Sequence, residues 1–351
     1  MLLGWRTLAA LAALLVSASA WPAPAWPADA PAGEGQALDV RRLSPEQRRR
    51  LLAGETIDYQ VPEGSATELG AGVAMYLPVP LGRVAEVLTA AQLVLQDPSI
   101  TAAGAPPATL ADYRLAAGEV AEAQDVADAA PGGRVNLSSA EIEAFQAALA
   151  TLRARDRAAL AEAGAGQWRT VLFQRWQAFQ ARGLEGIAPY VRRSGVSDPA
   201  ALLRAAAGDA RIVAHAMPRL TEALLRFPAE QSATAISHFY WVKRQVQGRP
   251  TPILIHHLVD VTPQLALYVE RHVYVGHTYN ASQILSGAVP YEDGVLVFSS
   301  NRVSTDQVAG LGGEMKRMIG RRQLRAEIAK RFDRIRVALA RLAPGPRVES
   351  P

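Results

Sequence analysis

After Pro228 five runs rich in Val, Ile, Thr, Tyr and Phe follow one another, at Ile236–Val246, Ile253–Val261, Leu265–Val275, Ser282–Ala288 and Val295–Arg302. The links between them are too short for the crossover that a parallel pair of strands needs, so the runs predict an antiparallel meander. Gln247-Gly248-Arg249-Pro250 and Glu292-Asp293-Gly294 supply turn residues at two of the links. A sheet of this kind must bury its apolar face against another layer. The chain offers one directly, a helix over roughly Glu314 to Leu342 with Met315, Ile319, Ile328, Ile335, Leu339 and Leu342 on one face.

Upstream, Ser44-Pro45-Glu46-Gln47 has the residues of a helix start with a capping box, and Gly54 ends that helix. Leu69 to Leu77 reads as a strand. Pro78-Val79-Pro80-Leu81 then turns the chain into a helix running to about Leu95, whose apolar face is Leu81, Val84, Val87 and Leu88. Ala102 to Pro107 and Gly132-Gly133 read as loops flanking an Ala-rich helical stretch. Helical patterning dominates from Leu110 to Phe227. Ser138 and Glu141 form a capping box, the Trp168, Leu172, Trp176 and Phe179 stripe reads as core, Gly183 ends its helix, Asp198-Pro199 caps another, and Pro218 bends a helix over Ile212 to Leu225.

Val73-Ala74-Met75-Tyr76-Leu77-Pro78-Val79-Pro80-Leu81-Gly82-Arg83-Val84-Ala85-Glu86-Val87-Leu88-Thr89 resembles the first strand and first helix of START-like helix-grip domains, and the closing meander and helix resemble the end of that fold. The expected class is therefore α+β: a curved antiparallel sheet gripping a long C-terminal helix, with an all-helical block inserted at 108–230 between an N-terminal part at 44–107 and the meander and helix at 231–342. The resemblance implies a hollow domain that carries a lipid, a sterol or another apolar or amphipathic ligand between sheet and helix, usually without catalysis.

The N-terminus indicates where such a protein works. One positive charge in Met1 to Arg6, an apolar run from Thr7 to Val16 and Ala18-Ser19-Ala20 have the order of a secretory signal peptide cleaved after Ala20, with Ala28-Asp29-Ala30 as second choice. The run is about half of the twenty or so apolar residues that span a bilayer. Residues 21–43, rich in Pro and Ala, read as a flexible leader, and 343–351 as a disordered tail. The expected location is the periplasm. With no Cys, disulfides, thiolate metal sites, a thiol nucleophile and a lipid-modified N-terminal Cys are excluded. A net charge of +4 on 351 residues, with no aromatic and basic stripe, gives no reason to expect nucleic acid. From Glu314 onward, however, 11 Arg or Lys stand against four acidic residues, which suits transient contact with an anionic membrane.

Five of six His residues, His238, His256, His257, His272 and His277, lie in the meander. Strict alternation puts His257 with Ile253, Ile255 and Val259, and His277 with Arg271, Val273 and Val275, on inward faces, with His256 and His272 pointing away. Five His residues split over two faces do not make one metal site, and neither a metal nor a cofactor is expected. His257 and His277 are candidates for the few polar groups that orient a ligand in an apolar pocket. Arg271 joins them because a buried guanidinium needs an anionic partner, either a ligand carboxylate or phosphate or Glu270 or Asp260. Trp241, Tyr279, Asn280 and Arg302 complete the candidate ligand-binding set. Arg302 with Asp306 also reads as an ion pair, and Ser304 or Asp306 as a helix cap. Gly310-Leu311-Gly312-Gly313 reads as close packing of helix on sheet or as room for a ligand. No Gly-x-Ser-x-Gly elbow is present. The second class of function is an envelope enzyme using His and carboxylate groups of the meander, which requires His257, His272 or His277 within hydrogen-bond reach of Asp260 or Glu270 in a cleft. The third is a non-catalytic envelope adaptor working through the helical block.

Export is checked by the intact mass of protein recovered from the cell envelope. The expected species lacks residues 1–20 and begins at Trp21.

Overall fold

The structure is a computed structural model. It describes residues 43–89, 96–115, 122, 125, 128–152, 156–193, 195–208, 210–228, 236–310 and 312–341, all within the unit Gly35–Pro351. The proposed signal peptide, the leader, the tail, the end of the helix toward Leu95 and most of the Ala-rich stretch lie outside the described residues.

The fold is α+β. Its strands are β1 (Thr56–Tyr59), β2 (Glu68–Leu77), β3 (Ile100–Gly104), β4 (Tyr190–Val191), β5 (Val196–Ser197), β6 (Ile236–Val246), β7 (Arg249–Thr262), β8 (Leu265–Val275), β9 (Ala281–Tyr291) and β10 (Gly294–Ser304). Its helices are α1 (Pro45–Leu52), α2 (Leu81–Thr89), α3 (Ser139–Leu149), α4 (Arg157–Arg182), α5 (Pro199–Gly208), α6 (Arg211–Ala216), α7 (Pro218–Arg226) and α8 (Gly313–Arg341). Eight strands form one antiparallel sheet in the order β1-β2-β10-β9-β8-β7-β6-β3, and β4 pairs with β5 separately. The meander β6 to β10 therefore carries the first strand, β2, on its far side. Gln247 and Gly248 both have positive φ, which suits the twist of the two-residue turn from β6 to β7.

Two strands that the patterning does not predict stand at the sheet edges. β1 follows α1 after a short turn and pairs with β2, and β3 occupies part of the segment read as loop and pairs with β6. Pro218 breaks rather than bends its helix: Met217 leaves helical geometry at φ −139° and ψ 70°, and α6 and α7 are separate. Gly183 ends α4 at φ 57°, where a side chain would run into the Phe227 carbonyl. Gly310 and Gly312 have positive φ with open space around them, so they make a turn and do not pack the helix on the sheet. Gly320 makes the close approach, against Leu69 of β2.

Both faces of the sheet are covered. On the front, α2 and α8 pack on Val73, Met75, Ile253, Ile255, Tyr268, Val295 and Val297, with Ile328, Phe332 and Ile335 as the buried residues of α8. On the back, Leu254, Val273 and Tyr274 meet Trp168, Leu172 and Phe179 of α4, while Leu258, Leu267, Leu285 and Phe298 meet Leu51 of α1 and Leu220 and Leu224 of α7. The inserted block thus lies against the face of the sheet that α8 does not use.

Phe332 is fully buried. Phe332→Ala removes its ring from the α8 contact and is expected to destabilise the protein by about 3–5 kcal/mol, read as a lower urea midpoint with an unchanged slope.

Candidate functional site

Burial on both faces forces every polar side chain of the central strands to find partners inside the protein. On the front, Tyr268, Glu270 and His272 alternate along β8, and Glu270 stands directly opposite His257 of β7. Glu270 is 2 % exposed and collects three donors: Tyr268 Oη at 2.6 Å, His272 Nε2 at 2.9 Å and Arg331 Nη2 of α8 at 3.3 Å. Burial by itself raises the Glu270 carboxyl, but Arg331, His272 and Tyr268 outweigh it and hold it well below the usual carboxylate range. An ionised Glu270 only accepts, so His272 carries its proton on Nε2, and Nδ1 accepts from the Tyr279 hydroxyl at 2.7 Å. Burial lowers the His272 pKa, with Glu270 opposing it.

This cluster opens outward beside α8. Arg244 donates through Nη2 to Asp97 at 2.9 Å and through Nε to Ser99, and Arg334 lies 3.7 Å from Asp97. Asp97, Arg244, Glu270, His272, Arg331 and Arg334, with Ile100, Val242, Ile253 and Ile255, line a gap of about 10 Å³. That leaves room for about one water molecule and none for a lipid chain. Deeper in the same face lies His257, fully buried, with its ring 4.3 Å from that of Tyr268 and 5.9 Å from that of His238. Neither ring nitrogen of His257 has a hydrogen-bond partner among the described residues. Burial pushes its pKa down to about 4, although Glu270 acts to raise it.

The candidate residues separate. His257 and Tyr279 join Glu270 and His272 on the front. Arg271 does not, and the reason is a bulge: between Leu254 and Ile255 the pairing slips by one residue, Val273 has no partner, and Val273 and Tyr274 both turn to the back. Arg271, Val273, Val275 and His277 therefore do not share a face, and His272 sides with His257, not with His256. Arg271 is buried on the back, where it donates to the carbonyls of Leu224 at 2.6 Å and Leu203 at 3.3 Å instead of to a carboxylate. Burial, with Arg204 nearby, lowers its pKa to about 9. His277 lies past the end of β8 and bonds Thr251 and the Pro250 carbonyl, its pKa pushed down to about 4 by burial. Trp241 is back-face core and donates to Thr109 Oγ1. Asn280 bridges Arg192 and Asp306. Arg302 pairs with Glu68 through two 2.8 Å bonds, Asp306 pairs with Arg192, and the cap residue of the short turn that follows is Thr305.

Arg331, Arg244 and Asp97 were not among the candidates, and Glu270 was weighed only as a carboxylate partner for Arg271 or for a catalytic His. Glu270 and Asp97 gave no motif, and Arg331 lay within a run of arginines indistinguishable from solvated ones. The signal that finds Glu270 is cross-strand pairing with His257, which needs the register. Among the described residues no three His, Asp or Glu side chains converge where a metal ion could sit, and no helix is long and apolar enough to cross a membrane. No protein-family model matches the sequence, and neither the curated proteins nor the solved structures contain a match to it.

Like His277, His257 makes stability depend on pH. Its folded pKa of about 4 lies below the ordinary 6.5, so between these values the unfolded chain binds a proton that the folded protein refuses. The stabilisation is complete above about pH 6.5 and drains as pH falls toward 4, at up to ~1.4 kcal/mol per pH unit for one group. Urea midpoints should fall across that window, and His257→Phe should make the fall shallower.

Proposed function

We propose that this chain is an exported, non-catalytic binding protein of helix-grip type, which takes a small amphipathic ligand between the sheet and α8. The observation that carries the reading is His257: a fully buried imidazole whose two nitrogens have no hydrogen-bond partner among the described residues, on the sheet face that α8 covers. An unmet donor and acceptor at such a depth cost stability, of order 1–3 kcal/mol, and a bound polar group offsets that cost. The surrounding face supplies apolar walls from Ile253, Ile255 and Tyr268, and the gap beside it has guanidinium groups at its mouth for an anionic end. The ligand is lipid-like in having an apolar body and one polar end. Loading requires the C-terminal half of α8 to lift, because Ile328, Phe332 and Ile335 fill the space next to a gap of about 10 Å³. The order of residues 1–20 supports the periplasm as the place of work.

Native mass spectrometry of protein purified from its own cell envelope is expected to show an added small-molecule mass that organic extraction removes. His257→Phe is expected to lose it by tenfold or more. A bare protein mass in wild type, with no shift on titration with fatty acids or phospholipids, overturns the reading.

The His272 and Glu270 pair favours a second reading, an envelope enzyme, since the two side chains meet at 2.9 Å on the wall of the gap. Against it stands the occupancy of every group: Glu270 has three donors, and both ring nitrogens of His272 are bonded. His272→Gln separates the readings, because it abolishes turnover of any substrate found and leaves ligand mass in place if the protein only binds.

A further inference from the structure

The first half of α8 contributes little to the core. Its buried residues are Ile328, Phe332 and Ile335, all in the second half. In the first half Met315, Met318 and Ile319 are 66 %, 62 % and 49 % exposed. With Arg322 they occupy positions i, i+3, i+4 and i+7, a single outward stripe. Arg322 and the adjacent Lys316 are exposed, and neither has an acidic partner among the described residues. Other cations of this half are occupied: Arg317 and Arg321 both bind Glu63 at 2.7 Å, which fixes the helix on the sheet and leaves the apolar stripe facing away. Glu314 is the acidic residue on this stretch, and it lies 3.8 Å from Arg317.

We infer that the stripe Met315, Met318, Ile319 with Lys316 and Arg322 is a docking surface for an anionic lipid bilayer. Three large flexible or branched apolar side chains projecting between two free cations have the chemistry of an interfacial helix: the apolar groups enter the boundary between headgroups and acyl chains while the cations stay with the lipid phosphates. A protein groove of ordinary composition would match the apolar stripe but would leave the two cations without counterions. The charge complementarity therefore selects the lipid surface. This surface is separate from the gap beside Glu270 and stands whether or not a ligand is bound there.

The test is co-sedimentation of the protein, purified from the envelope without detergent, with vesicles of phosphatidylcholine alone or mixed with phosphatidylglycerol. Binding is expected to the mixed vesicles, to fall with added salt, and to be lost on pure phosphatidylcholine. Met318→Asp with Ile319→Asp is expected to weaken it tenfold or more. Lys316→Glu with Arg322→Glu is expected to weaken it by at least about fivefold for each cation. All four side chains are exposed, so the circular dichroism spectrum and urea midpoint stay at wild-type values. Absence of wild-type binding, or binding that neither double variant reduces, overturns the inference. So does a dimer in sedimentation equilibrium that Met318→Asp with Ile319→Asp dissociates, which would assign the stripe to a second copy of the chain.

Discussion

A carboxylate in the middle of a sheet that is covered on both faces is almost cut off from bulk water, and Glu270 is in that position. Its charge persists because β8 itself supplies two donors, Tyr268 and His272, while α8 supplies a cation, Arg331. Stripping one of these partners would leave a buried charge partly unpaired, which typically costs about 3–5 kcal/mol. The front of the molecule depends on this arrangement. Arg331 reaches Glu270 when Phe332 and Ile335 are seated on the sheet, so the polar contact and the apolar packing of α8 require the same placement of one helix. A purely apolar interface would tolerate sliding of the helix, whereas the carboxylate tolerates one register.

The adjacent residue shows the opposite solution. Arg271 also lies on β8 and is also buried, yet it faces the back and has helix carbonyls for partners. Leu224 is in the last turn of α7, where carbonyls without intrahelical partners carry partial negative charge, so the helix end serves as a diffuse counterion. One strand thus carries a negative and a positive charge at consecutive positions. Each is matched by a helix from a different part of the chain.

Strand patterning made most of this architecture legible. β6 and β8 have the bounds that the runs of Val, Ile and Tyr suggest, and α8 begins one residue before Glu314. β1 and β3 were hidden for a physical reason: at four and five residues, on the sheet edges, they are too short for alternation to register, and Ala and Gly make up three of the five residues of β3. The candidate site was legible only in part. His257 was a candidate because it stands in apolar company, Tyr279 because it belongs to a polar segment next to a buried strand, and both lie on the front face. Arg271 was placed on the wrong side because one unpaired residue, Val273, changes the parity of everything beyond it on the strand, and no residue type announces that bulge. Arg331 and Glu63 were illegible because their partners lie far away in sequence.

Twenty-nine residues make α8 about 43 Å long, and its two halves are held by different forces. The second half is fixed by buried Ile and Phe side chains and the buried contact of Arg331 to Glu270, the first by the more accessible bridges of Arg317 and Arg321 to Glu63. Dissolved ions weaken the second kind of contact and hardly touch the first. The helix is in effect a lever with a greasy fulcrum and an ionic latch, so salt concentration acts more on one end of it than on the other.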